Sequence, residues 1–341
     1  MAGKLKFVDD SEPGISRRRK GVHWQYFAPD GKRIAERAEI DRLNAIGLPP
    51  AYRDAWFCTD PDGHLQSVGK DARGRKQYRY HAEYRAGQDS AKYERLAEFG
   101  HHLPRLRKRI EEDIGGKATN CDTVVAAVVR LIDRTHIRVG NEQYAKSNKS
   151  FGATTLRGRH AKISNRGLTL RYRGKSGIVR ETTVTDRALA RVAKRAQDLP
   201  GQHLFECADA EGTCRPVRSN DVNDYIREAT GEEFTAKDFR TWGASVIAFA
   251  EAVERTRRHG SVHLKSMIEP VAEALGNTMA VSRKSYVHPA LIEAAQEADA
   301  FAGVDLPRKA KWLSGAERGF IDFLDALRKK RPKRSEVRKG S

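Results

Sequence analysis

The chain has 341 residues, and its 64 lysines and arginines against 45 aspartates and glutamates give it a net charge of +19. This length predicts about two domains, and the excess of basic residues predicts a polyanionic partner, with nucleic acid favoured over an acidic membrane surface. No apolar run approaches the ~18 residues that a membrane span requires. Acidic residues stand where a signal peptide needs an apolar stretch, so we expect a cytoplasmic protein.

The positive charge is not confined to the ends of the chain. The run Arg17–Lys20 contributes +4 and residues 328–339 contribute +7, which leaves +8 for the remainder. We expect residues 1–20 to be a disordered basic segment, because they combine mixed charge with a proline and a glycine. We expect residues 328–341 to form a basic tail.

Strand patterns dominate residues 21–88 and predict a small β-rich domain. The candidate strands lie at 23–28 and 32–35 around a Pro-Asp-Gly turn, at 55–59 and 64–68 around a second turn, and at 76–81. A short helix is expected over 38–46, ahead of a glycine and two prolines. In the last strand basic and aromatic residues alternate, which would place Tyr78 and Tyr80 on one face.

Helical patterns dominate residues 89–327, after a linker near 86–88, and predict a mainly α domain. A helical stripe is formed by Leu96, Phe99, Leu103, Leu106 and Ile110. A three-stranded meander is expected over 153–184. Further helices are expected at 123–133, 237–258, 261–275, 290–300 and 313–330, with Asp122, Asp186 and Ser219 as possible N-caps. The predicted fold class is therefore α+β, with a β-rich N-terminal domain and a mainly α second domain that holds a three-stranded sheet.

Neither a metal nor a nucleotide is expected from the local motifs. The four cysteines are too few for a disulfide scaffold and form no CxxC pair, so we expect free thiols at Cys58, Cys121, Cys207 and Cys214. The segment RGKSG at 173–177 lacks the first glycine of a phosphate-binding loop and lies between two strands.

Four separated segments combine basic residues with a potential nucleophile. They are His136–Ala145 (HIRVGNEQYA), Arg173–Gly177 (RGKSG) at a hairpin tip, Lys237–Gly243 (KDFRTWG), and Leu275–Thr278 (LGNT) followed by Val281–Tyr286 (VSRKSY). In this order and spacing they resemble the type IB DNA topoisomerases, specifically the small poxvirus and bacterial branch. The resemblance covers roughly residues 21–300, and it is specific because four motifs agree that would each be weak alone.

The resemblance implies that Tyr286 is a nucleophile and that Arg138, Lys175 and Arg240 are its catalytic partners. The chemistry of these residue types fits the roles. Guanidinium groups bind phosphate oxygens bidentately and stay charged at any useful pH. A lysine at a hairpin tip can give a proton to the leaving 5′-oxygen. Nearby cations also favour the phenolate of a tyrosine, whose ordinary pKa is about 10.

The chain departs from the poxvirus pattern at one position. Poxvirus members have a histidine nine residues before the nucleophile, whereas this chain has Asn277, as some bacterial members also do. Asparagine can donate an N–H to a phosphate oxygen, but it cannot titrate. We therefore expect Asn277 to be a hydrogen-bond donor and not an acid or base.

The resemblance also implies contacts with double-stranded DNA. Tyr78 and Tyr80 match a Tyr-x-Tyr segment with which the family touches the major groove, and Tyr144 matches a tyrosine six residues after the first catalytic arginine. Further candidates for phosphate or base contacts are Arg75, Lys76 and Lys237. We expect a monomer whose two domains close around the duplex as a clamp.

These implications predict a type IB topoisomerase, associated with the nucleoid, that relaxes supercoiled DNA. It would act through a 3′-phosphotyrosyl intermediate, strand rotation and religation. The intermediate keeps the bond energy and the arginines do the electrostatic work, so neither ATP nor a metal is expected. One alternative is a tyrosine site-specific recombinase, which usually has His-x-x-Arg where this chain has Lys237 and Arg240. The other is a non-catalytic nucleoid-type DNA-binding protein, which explains the charge but not the four motifs.

Overall fold

A computed structural model describes residues 5–116, 120–208, 211–297 and 299–330. The chain divides into unit 1, which ends at Glu94, and unit 2, which begins at Arg95. Unit 1 contains an antiparallel sheet and unit 2 is mainly helical, so the predicted α+β class is confirmed. Within these ranges no helix has both the length and the apolar character needed to cross a membrane.

Unit 1 is built on a five-stranded sheet with the order β2-β1-β3-β4-β5. Its elements are β1 (Ile15–Lys20), β2 (His23–Phe27), α1 (Arg37–Ala45), β3 (Arg53–Phe57), β4 (Leu65–Lys70), β5 (Lys76–Tyr80) and α2 (Ala82–Glu94). Its core contains Ile15, Tyr26, Leu43, Leu48 and Phe57. Helix α2 runs through the linker predicted near 86–88, so the boundary between the units lies six residues later than the predicted end at 88.

Strand β1 corrects the expectation that residues 1–20 are disordered. Arg17 donates hydrogen bonds to the carbonyl oxygens of Leu48 at 2.8 Å and Pro49 at 2.6 Å. Its guanidinium also lies 4.0 Å from the centroid of the Trp24 ring. This part of the basic run is ordered because one of its arginines binds backbone carbonyls and packs on an aromatic ring.

The partner of strand β2 also differs from the prediction. Strand β2 pairs with β1, with Arg18 opposite Gln25, whereas the predicted partner at 32–35 contributes a single bridge between Phe27 and Arg33. The Pro-Asp-Gly turn therefore does not close a regular hairpin. The second predicted hairpin is confirmed as β3 and β4, and the predicted alternating strand is confirmed as β5, which pairs with β4.

Unit 2 surrounds one small sheet with helices. Its helices are α3 (Leu96–Ile114), α4 (Cys121–Thr135), α5 (Glu142–Asn148), α6 (Arg187–Gln197), α7 (Ser219–Thr230), α8 (Ala236–His259), α9 (Leu264–Leu275), α10 (Met279–Ser285), α11 (Pro289–Ala294) and α12 (Gly315–Lys330). Its strands are β6 (Ala161–Ser164), β7 (Gly167–Arg173), β8 (Val179–Val184), β9 (Glu206–Ala208) and β10 (Cys214–Pro216). The predicted basic tail lies outside the described residues from 331 onward, while residues 328–330 belong to α12.

The core of unit 2 forms around α3, α4 and α8. The predicted stripe on α3 is confirmed, because all five of its residues are buried. The Phe99 ring packs edge-on against Phe239 of α8, with 5.1 Å between the ring centroids, and also contacts Trp242. The buried face of α8 therefore fixes the start of that helix, which carries the third predicted motif.

Two of the predicted N-caps are wrong and one is confirmed. The Asn120 side chain, not Asp122, accepts the Thr123 N–H at the start of α4. At the start of α7 no cap is formed by Ser219; the Asp221 carboxylate instead accepts the Arg218 N–H at 2.7 Å. The Asp186 carboxylate caps α6 by accepting the N–H groups of Ala188 and Leu189. Asparagine and aspartate compete for caps on nearly equal terms, so sequence alone does not choose between neighbours.

The predicted meander is confirmed as the sheet β6-β7-β8, although residues 153–155 form a 3₁₀ turn and not a strand. The register places Tyr172 of β7 opposite Arg180 of β8. The connection between these strands contains another short 3₁₀ turn, Lys175–Gly177. Lys175 therefore lies at a hairpin tip, as the sequence predicted.

The expectation of four free thiols is corrected for one pair. Cys121 and Cys207 form a disulfide, whereas Cys58 and Cys214 are free. The two bonded cysteines are 86 residues apart in sequence, and a bridge between Asn120 and Ala208 brings their segments together. Spacing in the sequence gives no sign of such a contact.

We expect reduction of the Cys121–Cys207 disulfide to lower the free energy of unfolding by about 2–4 kcal/mol, because the cross-link restricts the unfolded chain. Thermal unfolding with and without reductant measures the change. A Cys121→Ser/Cys207→Ser variant is the control, and its transition should not respond to reductant. Equal stability of the oxidised and reduced wild type would contradict this prediction.

Candidate active site

The first predicted motif begins where helix α4 ends. His136 adopts a left-handed conformation, with φ of 53°, and ends the helix. The following backbone is held by hydrogen bonds from the Ala153 N–H to the Arg138 carbonyl at 2.8 Å and from the Thr154 N–H to the Val139 carbonyl at 2.7 Å. Arg138 therefore projects from a fixed irregular segment.

Arg240 connects three of the four motifs. It lies near the start of α8 and is only 5% exposed. Its guanidinium donates to the carbonyl oxygen of His136, in the first motif, and to that of Leu275, in the fourth motif, the latter at 3.3 Å. These contacts bring the third motif against the other two.

Helix α8 also holds the segment that carries Tyr286. The buried Ser245 hydroxyl, on α8, donates to the Tyr286 carbonyl at 3.2 Å and accepts the His288 N–H at 3.0 Å. Ser245 lies five residues after Arg240 on the same helix. One helix thus sets the position of both the candidate nucleophile and a candidate partner.

Two guanidinium groups lower the pKa of Tyr286. The central carbon of the Arg240 guanidinium lies 4.9 Å from the centroid of the Tyr286 ring. Burial of the hydroxyl opposes ionisation, but the charges and hydrogen bonds of Arg240 and Arg138 outweigh it, and the pKa of Tyr286 lies below its ordinary value. The phenolate is favoured at the place where a nucleophile is needed.

Asn277 lies beside Arg138 and has a free donor. Its side-chain oxygen accepts a hydrogen bond from Arg138 Nη2 at 2.8 Å. Because a guanidinium can only donate, this contact fixes which amide atom is the oxygen. The Asn277 Nδ2 group is buried and has no hydrogen-bond partner within the described residues. A phosphate oxygen would satisfy it, in agreement with the predicted donor role.

Lys175 faces the same cleft as the two arginines. It is exposed at the hairpin tip, and Arg138, Lys175 and Arg240 all line one cleft, together with Tyr172. The structure therefore brings together all five predicted site residues: Arg138, Lys175, Arg240, Asn277 and Tyr286.

The charges in the cleft are not balanced by carboxylates. In the part of the chain that the structure describes, Arg138 and Arg240 contact an amide oxygen, backbone carbonyls and Tyr286, and neither forms an ion pair. Planar guanidiniums in such a place suit an anion that offers two oxygens side by side, such as the non-bridging oxygens of a phosphodiester. A phosphorus atom bound there would lie beside a tyrosine hydroxyl of lowered pKa, which is an arrangement for nucleophilic attack.

The residues predicted to touch DNA in unit 1 lie on and beside β5. Tyr78 and Tyr80 share one face, are 42% and 37% exposed, and have nearly parallel rings with centroids 6.1 Å apart. Arg75 forms an ion pair with Asp71 at 2.6 Å, and Lys76 forms one with Asp10. The two tyrosines are therefore open to a partner, whereas the two cations would have to exchange a carboxylate for a phosphate.

Two further predicted contacts lie in unit 2. Tyr144 is 47% exposed on the short helix α5, which begins four residues after Arg138. Lys237 is exposed in the first turn of α8, three residues before Arg240. Each lies close in sequence to one of the two arginines, and the contacts of both with DNA stay predictions.

Two residues that position the site were missed from the sequence. His136 supplies the carbonyl that Arg240 binds, and its ring lies so close to Gly243 that any side chain there would clash with it. Ser245 fixes the Tyr286 backbone. Both lie within five residues of a predicted catalytic arginine, but a backbone carbonyl and a buried hydroxyl leave no pattern in the sequence.

Family comparisons match both units. The model of the eukaryotic DNA topoisomerase I catalytic core matches residues 81–302, and that of the bacterial DNA topoisomerase IB N-terminal domain matches residues 23–71. DNA topoisomerase 1B of Acanthamoeba polyphaga mimivirus is 34% identical over 80% of this chain and 85% of its own length. DNA topoisomerase 1B of Vaccinia virus (strain Copenhagen) is 22% identical over 66% of this chain and 71% of its own.

Solved structures show a weaker likeness. The XerH site-specific recombinase bound to palindromic difH substrate, in a post-cleavage complex, aligns with a TM-score of 0.36 and 21% identity. The alignment covers 57% of this chain and 50% of that one. A likeness of this size carries no argument about fold or function.

We expect the ionisation of Tyr286 to have a midpoint below the ordinary value of about 10. The measurement is an absorbance titration of the wild type minus that of Tyr286→Phe, which isolates one phenol. Arg240→Gln should raise the midpoint, because a cation is lost while the hydroxyl stays buried. Tyr78→Phe, in the other unit, is the control and should leave the Tyr286 midpoint unchanged. A wild-type midpoint at or above 10 would contradict the electrostatics described above.

Proposed function

The chain belongs to the type IB DNA topoisomerases, and from this premise we propose that it relaxes supercoiled DNA through Arg138, Lys175, Arg240, Asn277 and Tyr286. The observation that carries the proposal is the convergence of Arg138 and Arg240 on the Tyr286 hydroxyl, with no carboxylate to neutralise them in the described chain. A phosphodiester of the DNA backbone supplies the missing negative charge.

In the proposed reaction Tyr286 attacks the scissile phosphorus. The phenol loses its proton to solvent, a step favoured by its lowered pKa, and its oxygen forms a bond to the 3′-phosphate. The bond to the 5′-oxygen breaks, and Lys175 gives that oxygen a proton. Arg138, Arg240 and the free Asn277 Nδ2 donor bind the non-bridging oxygens, where charge builds up in the transition state.

Religation reverses these steps. After the cut strand has rotated about the intact one, the 5′-hydroxyl returns its proton to Lys175 and attacks the phosphotyrosine, which releases Tyr286. The number of phosphoester bonds is the same before and after, so the reaction draws on no nucleotide hydrolysis. We propose further that a single copy is the active species, that it closes around the duplex as a clamp, and that it works on the DNA of the nucleoid.

Tyr286→Phe should abolish DNA cleavage and plasmid relaxation but keep DNA affinity, because only the nucleophilic oxygen is lost. The measurement is the yield of protein covalently bound to DNA after denaturation with SDS, alongside relaxation of a plasmid that has no recombination site. Tyr172→Phe, a tyrosine on the wall of the same cleft, is the control and should still form the adduct. Adduct formation by Tyr286→Phe would contradict the proposal that Tyr286 is the nucleophile.

Lys175→Ala should slow cleavage of ordinary DNA by on the order of 10²–10⁴, the usual contribution of a general acid. Replacing the bridging 5′-oxygen of the scissile bond by sulfur should restore most of that loss, because a thiolate, with an ordinary pKa of about 8.5, leaves without a proton. Arg138→Lys is the matched control: its defect lies at the non-bridging oxygens and should persist on the sulfur substrate. Equal slowness of Lys175→Ala on both substrates would exclude it as the proton donor.

A further inference from the structure

Arg180 joins two parts of the active site that lie far apart in sequence. It is half-buried on strand β8, just beyond the hairpin that carries Lys175. Its guanidinium donates to the carbonyl oxygens of Glu273 at 3.1 Å and Ala274 at 2.9 Å, in the last turn of α9. Two residues after that helix ends comes Asn277.

The C-terminal end of α9 favours binding of this guanidinium for two reasons. The last carbonyls of a helix have no partner within it and carry the negative end of the helix dipole, so a cation there is favourable. Gly276, directly after the last residue of the helix, adopts a left-handed conformation with φ of 60°, and a side chain at this position would clash with the Arg180 guanidinium. Glycine at this position therefore allows both the positive φ of the backbone and the close approach of the Arg180 guanidinium.

On its own sheet Arg180 fixes the base of the Lys175 hairpin. It stands opposite Tyr172 in the register of β7 and β8, and it hydrogen-bonds the Tyr172 side chain. The turn between the two strands is closed by the Gly174 N–H, which donates to the Ile178 carbonyl at 2.8 Å. A displacement at Arg180 would therefore be transmitted to Lys175.

We propose that Arg180 is a positioning residue that sets the place of Lys175 relative to Asn277 and Arg138 by holding the hairpin base against the end of α9. The chain of contacts is continuous: Arg180 binds the helix end, the helix leads into Asn277, and Asn277 accepts a hydrogen bond from Arg138. The inference rests on the proposed function, in which Lys175 is the proton donor.

Arg180 lines the same cleft as Arg138 and Lys175, but both of its terminal nitrogens donate to backbone carbonyls, so we infer that it acts on geometry and not by binding phosphate. Arg180→Ala should leave the affinity for DNA and its salt dependence unchanged. If Arg180 bound a phosphate directly, the slope of log affinity against log salt would fall by about 0.9, and this result would overturn the positioning role.

The decisive experiment is a double-mutant cycle on single-turnover cleavage at saturating DNA. Arg180→Ala alone should slow cleavage on the order of 10–100-fold, the usual effect of misplacing a reacting group. In a Lys175→Ala background the same change should cost no more than a few-fold, because there is no lysine left to misplace. The sulfur-bridged substrate should rescue Arg180→Ala as it rescues Lys175→Ala.

Controls separate this role from general destabilisation. Arg171→Ala removes an exposed arginine from the neighbouring strand β7, where it lies 3.9 Å from Glu181, and should leave cleavage unchanged. Arg180→Lys keeps a single donor group and should fall between wild type and Arg180→Ala. If Arg180→Ala does not fold, as judged by circular dichroism, the cycle is run with Arg180→Lys and the same coupling is expected.

The outcomes distinguish failure of the positioning role of Arg180 from failure of the proposed role of Lys175. An equal loss from the Arg180 change in both backgrounds, or no loss in either, would overturn the positioning role and leave the proposed function intact. Normal cleavage by Lys175→Ala itself would instead refute the role of the lysine, and the positioning role would fall with it.

Discussion

Two guanidinium groups held close to one phenol form the electrostatic constraint on which the rest of the site depends. Arg138 and Arg240 repel each other, and burial together with Arg138 lowers the pKa of Arg240. Backbone carbonyls, the Asn277 amide and Tyr286 hold them in place, and these groups supply only partial charges before the phenol ionises. A bound phosphodiester relieves the repulsion, so the arrangement that is costly in the free protein favours DNA binding. The same two cations lower the pKa of Tyr286 against the effect of its burial.

Helix α8 holds the guanidinium of Arg240 close to the phenol of Tyr286, because the residues that position both groups lie on this one rigid helix. Arg240 reaches the first and fourth motifs, Gly243 leaves room for the His136 ring, and Ser245 holds the Tyr286 backbone. Phe239, packed against Phe99, anchors the start of the helix in the core. Catalytic geometry is more reliable on a packed helix than on a loop, because its rotamers and backbone are fixed by neighbours.

The sequence predicted those features that have a local signature. The apolar stripe on α3 and the three-stranded meander with Lys175 at its tip follow from periodicity and turn residues. The five site residues follow from the resemblance to the type IB topoisomerases that the four motifs carry. Strand β1 was missed because a run of basic residues resembles a disordered segment until Arg17 finds the Leu48 and Pro49 carbonyls. The Cys121–Cys207 disulfide and the Arg180 contacts were missed because each joins segments more than 80 residues apart, and long-range pairing leaves no local pattern.

The replacement of a histidine by Asn277 shapes how this site responds to pH. Its amide has no charged form, and the nearby His136 has a pKa lowered by burial, so it stays neutral where an ordinary histidine would gain a proton. Neither residue brings a titrating imidazole to the cleft near neutral pH. Tyr286 is the titrating group beside the arginines, which outweigh its burial and lower its pKa. In the proposed reaction the site therefore separates its tasks: donors that do not titrate, such as the Asn277 amide, bind the phosphate, and protons move only at the attacking and leaving oxygens.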